Sequence, residues 1–142
     1  MTMPVQMPLP GMSTKWRGRE LYGTHITGIA ADKEGAIWSS RKYRGKRWAR
    51  LKTQISRPGS ASYLKVCITR SDLGIMSRGY PTLVHYLVAN AFHGERPYGC
   101  EIHHKNGVAH DNRPENLEYL TPDEHKQTRS GMSTDEDWEG VL

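Results

Sequence analysis

The sequence predicts an α+β fold: small antiparallel strands and a helix, followed by a strand–loop–strand–helix unit. Three observations predict it. Residues 63–69 alternate, with Leu64, Val66 and Ile68 on one face and Tyr63, Lys65, Cys67 and Thr69 on the other, the pattern of a half-buried strand. Leu83, Val84, Leu87, Val88, Ala91 and Phe92 recur at helical spacing. Thr121, Pro122 and Glu124 supply an N-cap, a first helical residue and the reciprocal half of a capping box.

Taken in order, residues 1–20 read as a flexible arm, Pro- and Met-rich at first and then basic from Lys15 to Arg19. Residues 21–95 read as a basic, β-rich region with a helix near 81–92 opened by Pro81. Within it, residues 22–56 are short strands joined by turns, one turn at residues 32–35 and a strand over residues 36–39. Turns are also expected at residues 57–60 and 71–74, with 75–79 pairing back as a hairpin arm. Residues 96–131 hold the second unit, its last helix running to about Arg129 and stopping at Gly131. Residues 132–142 form an acidic tail.

The chain has 142 residues, enough for one domain, and its core must be small: 36% of residues are apolar and one is phenylalanine. No apolar run approaches the roughly 20 residues of a membrane helix. Residues 1–11 lack a basic residue and do not read as a secretory signal. Cys67 and Cys100 form no Cys-x-x-Cys pair; two buried thiols in a reducing cytoplasm are expected, with a Cys67–Cys100 disulfide as the alternative. The net charge of +5 is uneven: residues 14–105 carry 17 Lys/Arg and 6 Asp/Glu, residues 106–142 carry 3 and 9. A basic first part suggests a polyanion partner. The densest run, residues 41–52, has seven basic residues and no acid. If residues 46–52 are extended, Lys46, Trp48, Arg50 and Lys52 share a face. Together with Arg47 they could meet phosphates while the indole stacks on a sugar or base. The alternative is a solvated edge with the tryptophan turned under.

The chemistry gathers in residues 101–125. His103 and His104 end a short apolar–polar run before a Lys105-Asn106-Gly107 turn. Neighbours on a strand point to opposite sides. One of the pair can therefore hold a metal while the other reaches a water, and His125 in the first helical turn can meet the strand. Imidazole is mostly neutral at pH 7 and suits a general base. The Asn116 amide can brace the loop from both its ends, and Asn112 is expected to cap the turn entered at Pro114. Lys105, Arg113 and Arg129 are further candidates for phosphate contact. His85 is expected to be packed or solvated rather than a ligand, and His110 to face solvent. A structural zinc site from Cys100, His103, His110 and His125 is the competing use of these side chains.

His103-His104, Asn116 and His125 resemble the HNH endonuclease motif in its ββα-metal form. The helix residues from Val84 to Phe92 and the run from Asn112 to Glu118 resemble the phage and intron homing-endonuclease group of that family. The resemblance implies that His104 is the general base and His103 and His125 are metal ligands. It also implies that Asn116 holds the loop and thereby the base. It implies a divalent metal, Mg²⁺ or Mn²⁺ first and Ni²⁺ or Zn²⁺ also compatible with two imidazoles. Double-stranded DNA is the implied partner of a monomer or homodimer, with 5′-phosphate and 3′-hydroxyl products. The alternative is a basic DNA-binding or packaging-associated protein with an inactive version of the fold.

Overall fold

The computed structural model describes residues 5–41, 45–56, 63–68 and 79–132. The turns expected at 57–60 and 71–74, most of the arm expected at 75–79, and the acidic tail lie outside them.

Three antiparallel sheets surround one helix. The first has five strands in the order β1 (Ser13–Trp16), β2 (Arg19–Gly23), β3 (Ile29–Ala31), β4 (Ile37–Ser39) and β5 (Ala49–Arg50). The second pairs β6 (Gln54–Ile55), β7 (Leu64–Ile68) and β8 (Tyr80–Leu83). The third is a hairpin of β9 (Glu101–His104) and β10 (Leu117–Leu120). Helix α1 (Val84–His93) lies between them, and α2 (Pro122–Met132) follows the hairpin. No helix among the described residues is long and apolar enough to cross a membrane.

α1 is the spine of the core. Val84, Leu87, Val88, Ala89 and Ala91 pack with Ile29, Ala31 and Ile37 of the first sheet, Val66 and Ile68 of the second and Leu117 of the third. Leu87 is fully buried, so truncating it to alanine costs about 2–5 kcal/mol. Polar contacts add direction. Asn90 Oδ1 accepts the His25 backbone N–H at 2.7 Å, and the Tyr119 hydroxyl donates to the Gly94 carbonyl at 2.7 Å. The other face of the first sheet carries a second apolar cluster of Leu21, Ala30 and Trp48, joined by Val5, Trp16 and Trp38.

Several expectations change here. The sheet begins at Ser13, inside the stretch read as an arm, and Val5 N–H donates to the Gly45 carbonyl at 2.7 Å. Pro81 lies in strand β8, and the helix starts after Leu83. β8 is an outer strand of its sheet, where a residue without an N–H costs no ladder bond. Only Ala49–Arg50 is extended within residues 46–52. Trp48 is 4% exposed; it covers the far side of the first sheet and is not available to stack on a base. Lys46, Arg47, Arg50 and Lys52 remain exposed. Cys67 is a free, exposed thiol and Cys100 a free, half-buried one, because Cys67 falls on the outward side of β7 between Val66 and Ile68. α2 continues through Gly131 to Met132.

Candidate metal centre and general base

The hairpin places the two adjacent histidines on opposite sides. In β9–β10 pairing, His103 faces Glu118 and His104 faces Leu117. On one side the His103 Nδ1–H donates to Glu118 Oε2 at 3.1 Å. α2 brings His125 to the same side. Its start is fixed by a reciprocal cap: Glu124 N–H donates to Thr121 Oγ1 at 3.1 Å, and Thr121 N–H donates to Glu124 Oε1 at 2.9 Å. His125 Nδ1 then meets Glu101 Oε1 at 3.0 Å. The rings of His103 and His125 lie 5.2 Å apart, centre to centre, at 65°.

This arrangement fits a metal. A carboxylate oxygen only accepts, so each imidazole carries its hydrogen on Nδ1 and keeps an Nε2 lone pair. A metal-binding histidine backed by a carboxylate on its other nitrogen is a recurrent pairing. An ion roughly 2.1 Å from two imidazole nitrogens puts the ring centres roughly 4.5–5.3 Å apart for tetrahedral or octahedral angles, which brackets the observed spacing. Among the described residues no group of three or more His, Cys, Asp or Glu side chains is placed to hold a metal ion. The protein thus offers two nitrogens here, and the four-residue zinc alternative is not assembled. Glu101 and Glu118 were missed in the sequence, although both flank the histidines on strands; alternation from His103 put Glu101 on its face, and only the hairpin register could add Glu118.

On the other side His104 is 7% exposed. Its Nε2–H donates to Asn112 Oδ1 at 2.9 Å. The ring sits 5.1 Å from that of His85 and stacks 5.9 Å from Tyr63. Burial lowers the pKa of His104, only partly offset by the Asn112 bond, so the ring is neutral at pH 7 with a free lone pair. His85 is buried on α1, and burial beside His104 lowers its pKa to about 3. It is a packed residue, as expected, but it packs on the candidate base. Asn112 corrects a sequence expectation: its side chain receives His104 and does not cap the turn.

The loop between the strands is braced from within. Asn116 Oδ1 accepts the Asn106 N–H at 3.0 Å, and its Nδ2 donates to Asn106 Oδ1 at 3.0 Å and to the Asp111 carbonyl at 2.8 Å. These three bonds tie the two ends of the loop together. Arg113 is held by two short bonds to Asp111, 2.8 and 2.7 Å, which pull the Asp111 carboxyl well below its usual range. His93 Nε2–H donates to the Pro114 carbonyl at 2.8 Å and ties the loop to α1. Lys105 and His110 are exposed. The side chain of Arg129 lies outside the described residues.

The hairpin, its loop and α2 form a strand–loop–strand–helix unit preceded by α1. Residues 82–127 of the 142 match the family model described as HNH endonuclease, as the sequence resemblance implied. The chain is also similar to a solved structure titled "DNA binding and cleavage by the HNH homing endonuclease I-HmuI", with a TM-score of 0.58 and 24% identity over 87% of this chain. It spans 60% of the length of that protein. No curated protein gives a significant match.

Proposed function

We propose that the protein is a metal-dependent DNA endonuclease that hydrolyses phosphodiesters, leaving 5′-phosphate and 3′-hydroxyl ends. The observation that carries this reading is the placement of two carboxylate-backed imidazoles, His103 on the hairpin and His125 on α2, with a neutral, buried His104 next to them on the opposite side of β9. His103 and His125 would hold a divalent ion, with Mg²⁺ or Mn²⁺ favoured by the water positions left open. Bound there, the ion supplies charge neutralisation for the phosphate and the departing oxygen. His104 accepts the proton of the attacking water. Asn116 keeps the loop closed behind it, and the exposed cations Lys46, Arg47, Arg50, Lys52 and Lys105 engage phosphates of duplex DNA.

Plasmid nicking with Mg²⁺ or Mn²⁺ tests the reading. Wild type should convert supercoiled to open-circular DNA, and His104→Ala should lower the rate about 10²- to 10⁴-fold. Equal rates in the two proteins would remove His104 from the chemistry. DNA binding without cleavage by wild type under each metal would leave a basic DNA-binding protein.

A further inference from the structure

We infer that Asn112, seated against Gly35, is the positioning residue of His104: it fixes the ring with hydrogen on Nε2 and leaves Nδ1 as the proton-accepting nitrogen. This rests on the nuclease reading and names the atom that would do its proton transfer.

Two independent observations support it. The first is local. Asn112 is 4% exposed and its side-chain Oδ1 lies 2.9 Å from His104 Nε2. An amide oxygen cannot donate, so the hydrogen must sit on Nε2. With His85 and Tyr63 against the ring, rotation to present the other edge is obstructed. Two buried polar atoms lack a partner among the described residues, His85 Nδ1 and Asn112 Nδ2. Both belong to side chains that touch His104.

The second is distant in sequence. Gly35 adopts φ +88°, and a Cβ there would stand 2.7 Å from the Asn112 backbone carbonyl oxygen and 2.8 Å from the backbone carbonyl carbon. The turn between β3 and β4 therefore presses directly on the Asn112 backbone. That turn is itself rigid. Asp32 is 1% exposed; its Oδ1 accepts the Glu34 and Ala36 N–H groups at 2.9 and 3.0 Å. Its Oδ2 accepts from Trp38 Nε1 at 2.9 Å and Arg19 at 3.2 Å. A fixed turn of the basic sheet thus backs the residue that holds the base.

Long-range ¹H–¹⁵N NMR of the full chain at neutral pH reads the tautomer directly. Wild type should show His104 as the single Nε2–H form, Asn112→Ala a mixture, and Asn112→Asp, which keeps an accepting oxygen, the wild-type form. Gly35→Ala should shift the population toward the mixture. In nicking assays Asn112→Ala should lower kcat about 10- to 100-fold with KM and Mn²⁺ affinity unchanged, and Asn112→Asp should recover part of the loss. An unaltered tautomer in Asn112→Ala overturns the inference, as does loss of the Nε2–H form in Asn112→Asp. Should Asn112→Ala fail to fold, the Asp and Gly35 variants decide by the same spectra. A wild type with the fixed tautomer but no cleavage would support the positioning and reject the nuclease reading.

Discussion

His103 and His125 come from different elements, yet their rings stand 5.2 Å apart, and each is backed through Nδ1 by its own glutamate. Each glutamate oxygen can only accept, so the ring hydrogen sits on Nδ1 and the Nε2 lone pair of both imidazoles is left for a metal under the proposed reading.

Metal affinity should therefore depend on both layers. His103→Ala and His125→Ala should each abolish measurable Mn²⁺ binding in calorimetric titration, while His104→Ala should bind normally. Glu118→Gln and Glu101→Gln, which keep size and lose charge, should weaken binding about 10-fold or more. Loss of binding in the His104 variant would move the ion to the other side of the hairpin.

Acid should destabilise the fold through His85. Its pKa is about 3 in the native protein against 6.5 for the free side chain. Between those values the unfolded chain takes up a proton that the native chain refuses, so stability is full above about pH 6.5 and falls as pH drops toward 3. From pH 7 to pH 5 this group alone contributes a loss of about 2 kcal/mol. Urea unfolding of wild type and His85→Phe should show their stability difference changing by about that amount over the interval; a constant difference would mean that His85 titrates alike in both states.

Replacing Lys46, Arg47 and Arg50 by glutamine should reduce the salt dependence of DNA binding. Each phosphate contact contributes about 0.9 to the slope of log K against log salt, so the triple variant should flatten it by up to about 3. Trp48→Phe in the same assay should leave the slope alone, since that ring is buried. A slope untouched by the triple change would place the DNA on another surface.

Thr121→Ala should cost about 1 kcal/mol in unfolding free energy, the usual loss for such a cap. Because the cap sets the first turn that carries His125, Mn²⁺ affinity should fall as well, and Thr121→Ser should restore both. Stability lost with affinity intact would show that His125 is held by Glu101 alone.

Much of this was legible in the sequence where local rules dominate. The alternation of β7, the apolar spacing of α1 and the Thr121–Glu124 cap each follow from neighbours along the chain, and the opposite facing of His103 and His104 follows from strand geometry. Asn116 could be read as a loop brace because its amide offers both donors and acceptors. The failures are long-range. Trp48 read as exposed because its neighbours are cations; what buries it is Leu21 and Ala30 on other strands. Pro81 is as compatible with an outer strand as with a helix start, and only the pairing of Cys67 with Pro81 decides. Glu118 and Asn112 found their partners through hairpin register and loop closure, which residue type alone does not encode.

One consequence follows from the helix that all three sheets share. Each sheet buries one apolar face against it, so none can leave the helix without exposing side chains that the others also cover. Amides of β3, β7 and β10 should then exchange with solvent at a common, slowest rate, and the chain should melt as one cooperative unit rather than shed its basic sheet first.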